Sequence, residues 1–333
     1  MAEAPRGAGR EWVSLHAFST ADATPLLVRT VRPLITALRA DGLVDESFYL
    51  RYWEGGPHLR LRLLPRTAAR ADAVRERARA ALSRHLDAFP SGGRMPTADY
   101  AAWAERLAAA EGLADHDRMV RDRDVVEEIR YRPEYAVFGG SEAVRAVERH
   151  FTLSSDLALD LLAAGATEPQ RAGFGADALI LALAVWEPDR DRLTALLRAR
   201  PGGEPDPAMT ARVAHGWRQA ASTAGGSEPK ARWLRSVREL RAELLELDAR
   251  GRLRITAAHP TAVPPPGSAS PGQRAVLSVL LRCVHLLHNR LGLNHTVEQR
   301  IRRLVESGLS TGPSGDPRAA TSNDPVRTGY RLD

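Results

Sequence analysis

One segment constrains this chain more than any other: FYLRYWEGGPHLRLRLL, residues 48–64. Residues alternate in character on both sides of Glu54-Gly55-Gly56-Pro57, a short turn sequence. Alternation with period two is the mark of a β-strand, whose side chains point to opposite faces in turn. The segment therefore reads as a hairpin. A four-residue loop over 54–57 sets Trp53 opposite His58, Arg51 opposite Arg60 and Tyr49 opposite Arg62, and opposed residues share a face. The expectation is one face carrying Tyr49, Arg51, Trp53, His58, Arg60 and Arg62. The other face would carry Phe48, Leu50, Tyr52, Leu59, Leu61 and Leu63, a plausible core.

Three arginines on adjacent strands repel one another, and such a cluster needs water, acidic side chains or an anion to compensate it. The plain reading is a solvated face balanced by Glu127 and Glu128 of the next strand. The functional reading is a pocket for a substrate carboxylate, or for an enolate that develops during reaction.

Around the hairpin the pattern continues. EWVSLHAF (11–18) reads as a strand, 22–40 as a helix with Pro33 as a kink or break, 67–88 and 98–111 as helices, and 125–132 as a strand. The order β-α-β-β-α-β fits a ferredoxin-like antiparallel sheet with helices on one face. After Gly139-Gly140 the periodicity is almost entirely helical, with helices expected over 141–164, 173–186, 188–199, 207–222, 228–250, 271–291 and 294–307. The fold class is thus α+β, with a sheet subdomain over 11–138 and a helical subdomain over 139–307. Residues 1–10 and the Gly-, Ser-, Pro- and Asp-rich stretch 308–333 read as disordered, and 260–272 as a Pro-rich linker.

Lys230 is the only lysine, so the net charge of +6 and pI of about 10.0 are almost wholly arginine. A GC-rich genome produces that bias; an anionic ligand exploits it, because guanidinium stays charged and grips carboxylates with two bonds. The arginines are scattered without a nucleic-acid motif, so direct nucleic-acid binding is not expected. Cys283 is the only cysteine, which excludes an intrachain disulfide and a Cys-rich metal site. No apolar run of about 18 residues suggests a membrane span, and the N-terminus lacks an apolar signal core, so a cytoplasmic protein is expected.

Two further segments carry possible chemistry. In Cys283-Val284-His285-Leu286-Leu287-His288-Asn289-Arg290, His285 and Asn289 share one helical face. An HxxH pair with no nearby carboxylate in sequence does not make a metal site, so no metal and no cofactor is expected. In Tyr131-Arg132-Pro133-Glu134-Tyr135-Ala136-Val137-Phe138-Gly139-Gly140, the paired glycines permit positive φ at a strand-to-helix turn. The helix that follows contains Glu148, Phe151 and Ser154-Ser155-Asp156.

In this order, Trp12 on a first strand, FYLRYWEGGPHLRLRLL, YRPEYAVFGG with VERHFTLSSD, and HLLHNRLGL, the chain resembles the C-terminal domain of class I lantibiotic dehydratases in its stand-alone, thiopeptide-type form. The resemblance spans roughly residues 11–307. It implies a tailoring enzyme of ribosomally made peptides that eliminates glutamate from glutamylated Ser or Thr to leave dehydroamino acids. A sister branch instead forms a pyridine ring by formal [4+2] cycloaddition of two dehydroalanines with leader release. A third alternative is a non-catalytic peptide-binding partner of a split dehydratase, whose Arg face would be filled by acidic side chains of its own. By motif match Arg60, Arg62 and His285 hold the catalytic positions; Arg51, His58, Tyr49, Trp53, Asn289 and Arg290 are expected at the substrate. The implied partners are a precursor peptide (leader and core), a separate glutamylating dehydratase subunit and a second copy of this chain. One departure stands out: Val137-Phe138 replace the Arg-Tyr common before the paired glycines, so a further arginine is absent or supplied by Arg51 or Arg132.

Overall fold

The computed structural model describes residues 11–92, 96–111, 116–117, 119–197, 206–222, 228–256 and 269–310. The N-terminal stretch 1–10, most of the Pro-rich stretch and the tail beyond 310, expected above to be disordered or a linker, lie outside the described residues.

The sheet half is built from β1 (Val13–Phe18), α1 (Ala23–Leu26), α2 (Arg32–Ala40), β2 (Val44–Tyr52), β3 (His58–Pro65), α3 (Ala71–Ala88), α4 (Thr97–Glu111) and β4 (Val125–Glu128). The strands lie in the order β2-β3-β1-β4, and every neighbouring pair is antiparallel. Pro33 does not break its helix. The helix runs unbroken from Ala23 to Ala40, and a wider π turn over Leu27–Val31 precedes Pro33, the residue that lacks an N–H for the helix ladder.

Val13, Leu15, Ala17, Leu59, Leu61 and Leu63 are buried in one core with Leu27, Val31, Leu38, Val74, Ala78 and Leu82 of the helices. Glu128 shares this face and pairs with Arg75 and Arg79 of α3. The opposite face is covered as well, chiefly by aromatic side chains. Trp12 and Tyr131 meet edge-on, and both meet Phe48, which also meets Phe151.

The helical half comprises α5 (Tyr135–Phe138), α6 (Ser141–Ala163), α7 (Glu168–Trp186), α8 (Arg190–Leu197), α9 (Pro207–Ala221), α10 (Pro229–Ala249), α11 (Pro271–Arg290) and α12 (His295–Ser310). Every residue from Phe174 to Trp186 of α7 is buried, as expected of a helix apolar all round and surrounded by others. Its neighbours are α9, α10, α11 and α12. The last helix reaches Ser310, past the 307 expected from its periodicity. Gly139 and Gly140 take φ of 93° and 116°, the positive values their turn was expected to need.

The two halves join along β2. This strand ends the sheet, yet its outer backbone groups are bonded by side chains. Tyr49 donates its N–H to Ser155 Oγ (3.3 Å) and accepts from Arg290 Nε at its carbonyl (3.1 Å). Asn289 serves Arg51 twice: its Oδ1 accepts from the N–H (2.9 Å) and its Nδ2 donates to the carbonyl (2.7 Å). Ser155 belongs to α6, and Asn289 and Arg290 to the last turn of α11.

The hairpin register differs by one residue from the sequence expectation. Tyr52 pairs with His58, Leu50 with Arg60 and Phe48 with Arg62. The loop therefore spans five residues, 53–57. Gly55 and Gly56 both take positive φ (80° and 111°), and Gly56 N–H bonds back to the Trp53 carbonyl at 2.9 Å. A slip of one residue moves a whole strand's side chains to the other face. Tyr49 and Arg51 consequently stand with Leu59 and Leu61, and Phe48, Leu50 and Tyr52 stand with the arginines. Trp53 leaves the sheet and packs with Tyr100, Ala104 and Ala108 of α4. Tyr100 Oη in turn accepts from Gly55 N–H at 2.6 Å, so α4 holds the loop in its five-residue form.

Candidate functional site

β3 places His58, Arg60 and Arg62 on one face, beside Phe18, His16 and Ser14 of β1. All but Arg60 are buried. Arg62 donates from Nη2 to His16 Nε2 at 3.0 Å, and its guanidinium lies 5.4 Å from the centre of the Tyr131 ring. Among the described residues no carboxylate comes within 4 Å of it. Burial, and then the neighbouring Arg60, push its pKa down to about 9. Arg60 donates from Nε to His58 Nε2 (3.1 Å), lies over the Tyr52 ring (3.4 Å) and has Glu54 at 3.6 Å. Burial lowers its pKa against the pull of Tyr52, Glu54 and Glu134.

The two histidines act as neutral acceptors for these guanidiniums. Burial first, and then the arginines, depress His16 to about 2; burial likewise takes His58 to about 3, where Gly56 holds Nδ1 at 2.8 Å. Glu127 and Glu128, the counter-ions expected from sequence, are engaged elsewhere, Glu127 with Arg121 and Glu128 with α3. What remains is a pair of partly dehydrated cations with spare donors, the arrangement that stabilises an oxygen gaining negative charge.

Glu148 on α6 lies beneath the same face. It is buried, Tyr131 and Trp12 hydrogen-bond to it, and burial outweighs them to raise its pKa to about 7. Sequence reading noted the residue without a role; its signal was a carboxylate in an otherwise apolar helical stripe.

His285 sits on α11, one turn before Asn289. Its Nδ1 donates to Glu298 of α12 at 2.8 Å, and Glu298 also receives Arg302 at 2.8 Å. Burial alone would raise the Glu298 carboxyl, but the hydrogen bond from His285, with the His288 ring 3.8 Å away, holds it well below the ordinary carboxylate range. A carboxylate does therefore stand beside the HxxH pair, contrary to the sequence reading. It serves as hydrogen-bond acceptor: His288 spends Nε2 on the Gly175 carbonyl (3.1 Å), and Arg302 occupies the carboxylate. Among the described residues no group of three metal-ligating side chains forms.

The remaining expected site residues are placed elsewhere. Tyr49 and Arg51 are on the far face, with Arg51 reaching Asp22 (3.4 Å) and Thr24 (3.2 Å). Asn289 and Arg290 join the halves, and Arg290 is fully buried. Arg132 is exposed, so neither it nor Arg51 joins the cluster. Sequence reading missed Arg282, one turn before His285. It pairs with Glu134 at 3.2 Å, the carboxylate that also acts on Arg60.

The family described as lantibiotic biosynthesis dehydratase C-term matches residues 12–308. The chain belongs to that family. Its fold is similar to pyridine synthase TbtD from thiomuracin biosynthesis (TM-score 0.68, 21% identity, 90% of this chain and 98% of that one). It is also similar to TsrL (TM-score 0.58, 18% identity, 90% and 94%). A third likeness is to the tRNA-dependent lantibiotic dehydratase MibB from Microbispora sp. 107891 (TM-score 0.52, 19% identity), covering 92% of this chain but 28% of that much longer one. No curated protein sequence matches. At these identities the likenesses are of fold. Among the described residues, no helix of this family member is long and apolar enough to cross a membrane.

Proposed function

We propose that this family member closes a pyridine ring on a ribosomally made precursor peptide, by formal [4+2] cycloaddition of two dehydroalanines with release of the leader. The observation that carries this reading is the pair Val137-Phe138. Phe138 is buried against Phe151, ring centres 5.7 Å apart, where an eliminating domain would carry a polar pair. Hydrocarbon fills the place of a side chain that could hold a leaving glutamate. The fold likeness to TbtD, which covers 98% of that chain, supports the same reading.

The chemistry balances without a cofactor. The amide preceding one dehydroalanine shifts its N–H proton to oxygen, giving a C=N–C=C unit. The C=C of the second dehydroalanine closes two bonds onto it. Water then leaves from the former carbonyl carbon, and the leader leaves with its nitrogen as an amide, making the ring aromatic. Arg60 and Arg62 donate to the amide oxygen as it takes up charge. His285, oriented by Glu298, carries the proton from nitrogen to oxygen and later to the departing hydroxyl.

Glutamate elimination is the second reading, favoured by retention of both strand arginines, Arg60 and Arg62, and of His285 at their motif positions. The binding-only alternative expects the Arg face to be filled by the chain's own acids; among the described residues Glu54 alone reaches Arg60, and no acid reaches Arg62. Incubation with dehydrated and with glutamylated precursor peptide, followed by mass spectrometry, decides. Loss of water with leader release from the dehydrated peptide is expected. Loss of glutamate at each site identifies elimination, and an unchanged mass in both refutes catalysis.

A further inference from the structure

We infer that a cavity on the helix side of the sheet's end is a docking pocket for an apolar, acidic segment of the precursor peptide, separate from the reacting cluster. The inference rests on a peptide being the substrate, as proposed above. The cavity encloses about 410 Å³, within the range of ligand pockets. Ala17 and Leu59 of the sheet, Leu26 of α1 and Leu86 of α3 give it apolar walls. Phe89, just past α3, stands at its mouth and is 51% exposed, a large aromatic ring left in water.

The charge around that mouth fixes the kind of partner. The Arg29 guanidinium lies 5.5 Å from the Phe89 ring centre, and no carboxylate comes within 4 Å of it among the described residues. Arg51 also lines the cavity, paired with Asp22 at 3.4 Å and bonded to Thr24 at 3.2 Å, so two cations face one carboxylate there. An apolar side chain flanked by a carboxylate satisfies both the hydrocarbon interior and these two cations. A basic segment would be repelled, and a polar one would leave Phe89 wet.

The pocket and the cluster stand back to back. Tyr52 and His58 line the cavity, and the same two residues contact Arg60 on the other face. A bound segment therefore holds the peptide beside the end of β2 and β3 while another part of it reacts. This separates recognition from chemistry, so the two can fail independently.

The test is fluorescence anisotropy on the full chain with a fluorescein-labelled peptide alternating leucine with aspartate and glutamate. A leucine–lysine analogue and a serine–aspartate analogue are the controls. The first peptide binds saturably and both analogues do not. Ala23→Trp, which fills the cavity, and Arg29→Glu, which reverses an exposed charge, each weaken binding about tenfold or more. His285→Ala binds as the wild type does. Binding is read without turnover, so failure of the pyridine chemistry leaves this result standing. Equal binding of the analogues, or unchanged binding by both pocket variants with unaltered melting curves, overturns the inference. So does sedimentation showing a dimer that Ala23→Trp dissociates, which would make a second copy the occupant.

Discussion

Arg62→Met removes a charge and keeps much of the side chain's length. In the native protein the guanidinium is buried, has no carboxylate within reach among the described residues, and is held at about 9 rather than 12.5. That difference costs the charged form roughly 5 kcal/mol. Methionine forfeits the contact with the Tyr131 ring, worth about 1 kcal/mol. It also leaves His16 Nε2 without its donor, a loss of about 1–3 kcal/mol. The balance is a gain of about 1–3 kcal/mol, as seen when apolar residues replace buried charges. Melting should rise by a few degrees, at about 2 °C per kcal/mol for a chain of this size. The gain depends on pH with a definite sign. Below about 9 both folded and unfolded wild-type chains hold the Arg62 proton, and the penalty is complete. Between about 9 and 12.5 the unfolded chain binds more of that proton, so wild-type stability rises with pH and the gap to the variant closes. Differential scanning calorimetry of both proteins from pH 7 to 10 measures this, and peptide turnover measured alongside should be lost. A variant that melts lower at pH 7 with an intact fold would show that the cation is compensated, and the argument for a waiting anion site would fall.

Three other outcomes are expected. Glu298→Gln keeps the shape of the acceptor but weakens its hold on the His285 proton. Peptide turnover should fall roughly 10-fold to 100-fold in kcat with KM little changed. Asn289→Ala strips both backbone partners from Arg51 and should cost about 2–6 kcal/mol in urea unfolding, because each orphaned group costs about 1–3. Glu148→Gln replaces a carboxyl whose pKa is raised from 4.5 to about 7. The native state holds that proton where the unfolded chain releases it, so wild-type stability falls as pH climbs through this window. Urea midpoints of the Gln variant should decline less between pH 4.5 and 7, and parallel curves would count against a buried, protonated Glu148.

Much of this architecture was legible in the sequence, for reasons of periodicity. β1, β3 and α6 through α12 fall within a few residues of where apolar spacing put them, because each carries an apolar stripe or, in α7, an apolar run on every side. The hairpin register was not legible. Gly55 and Gly56 tolerate either loop length, and the choice is made by α4, whose Tyr100 hydroxyl receives the Gly55 N–H from 45 residues away. That contact decides whether Tyr49 and Arg51 or Leu50 and Tyr52 stand beside the arginines. Arg60 and Arg62 were legible as neighbours, since their spacing alone fixes a common face. Glu298 as the partner of His285 was not, because it lies on the next helix and nothing in its local spacing distinguishes it from a solvated acid. Asn289 and Arg290 were placed near substrate by their motif; their bonds to β2 show that a motif residue can serve the junction between two halves of a fold.

The way β2 is finished has a bearing on self-association. Open strand edges invite other strands, and proteins generally blunt them. Here Ser155, Asn289 and Arg290 act as a counterfeit fifth strand, answering N–H and C=O in turn with side chains from two helices. At Tyr49 and Arg51 that border of the sheet is closed to growth while the helices stay docked. At the other border, the short β4, Arg79 already claims the Val126 carbonyl from any extended peptide that would join as an added strand.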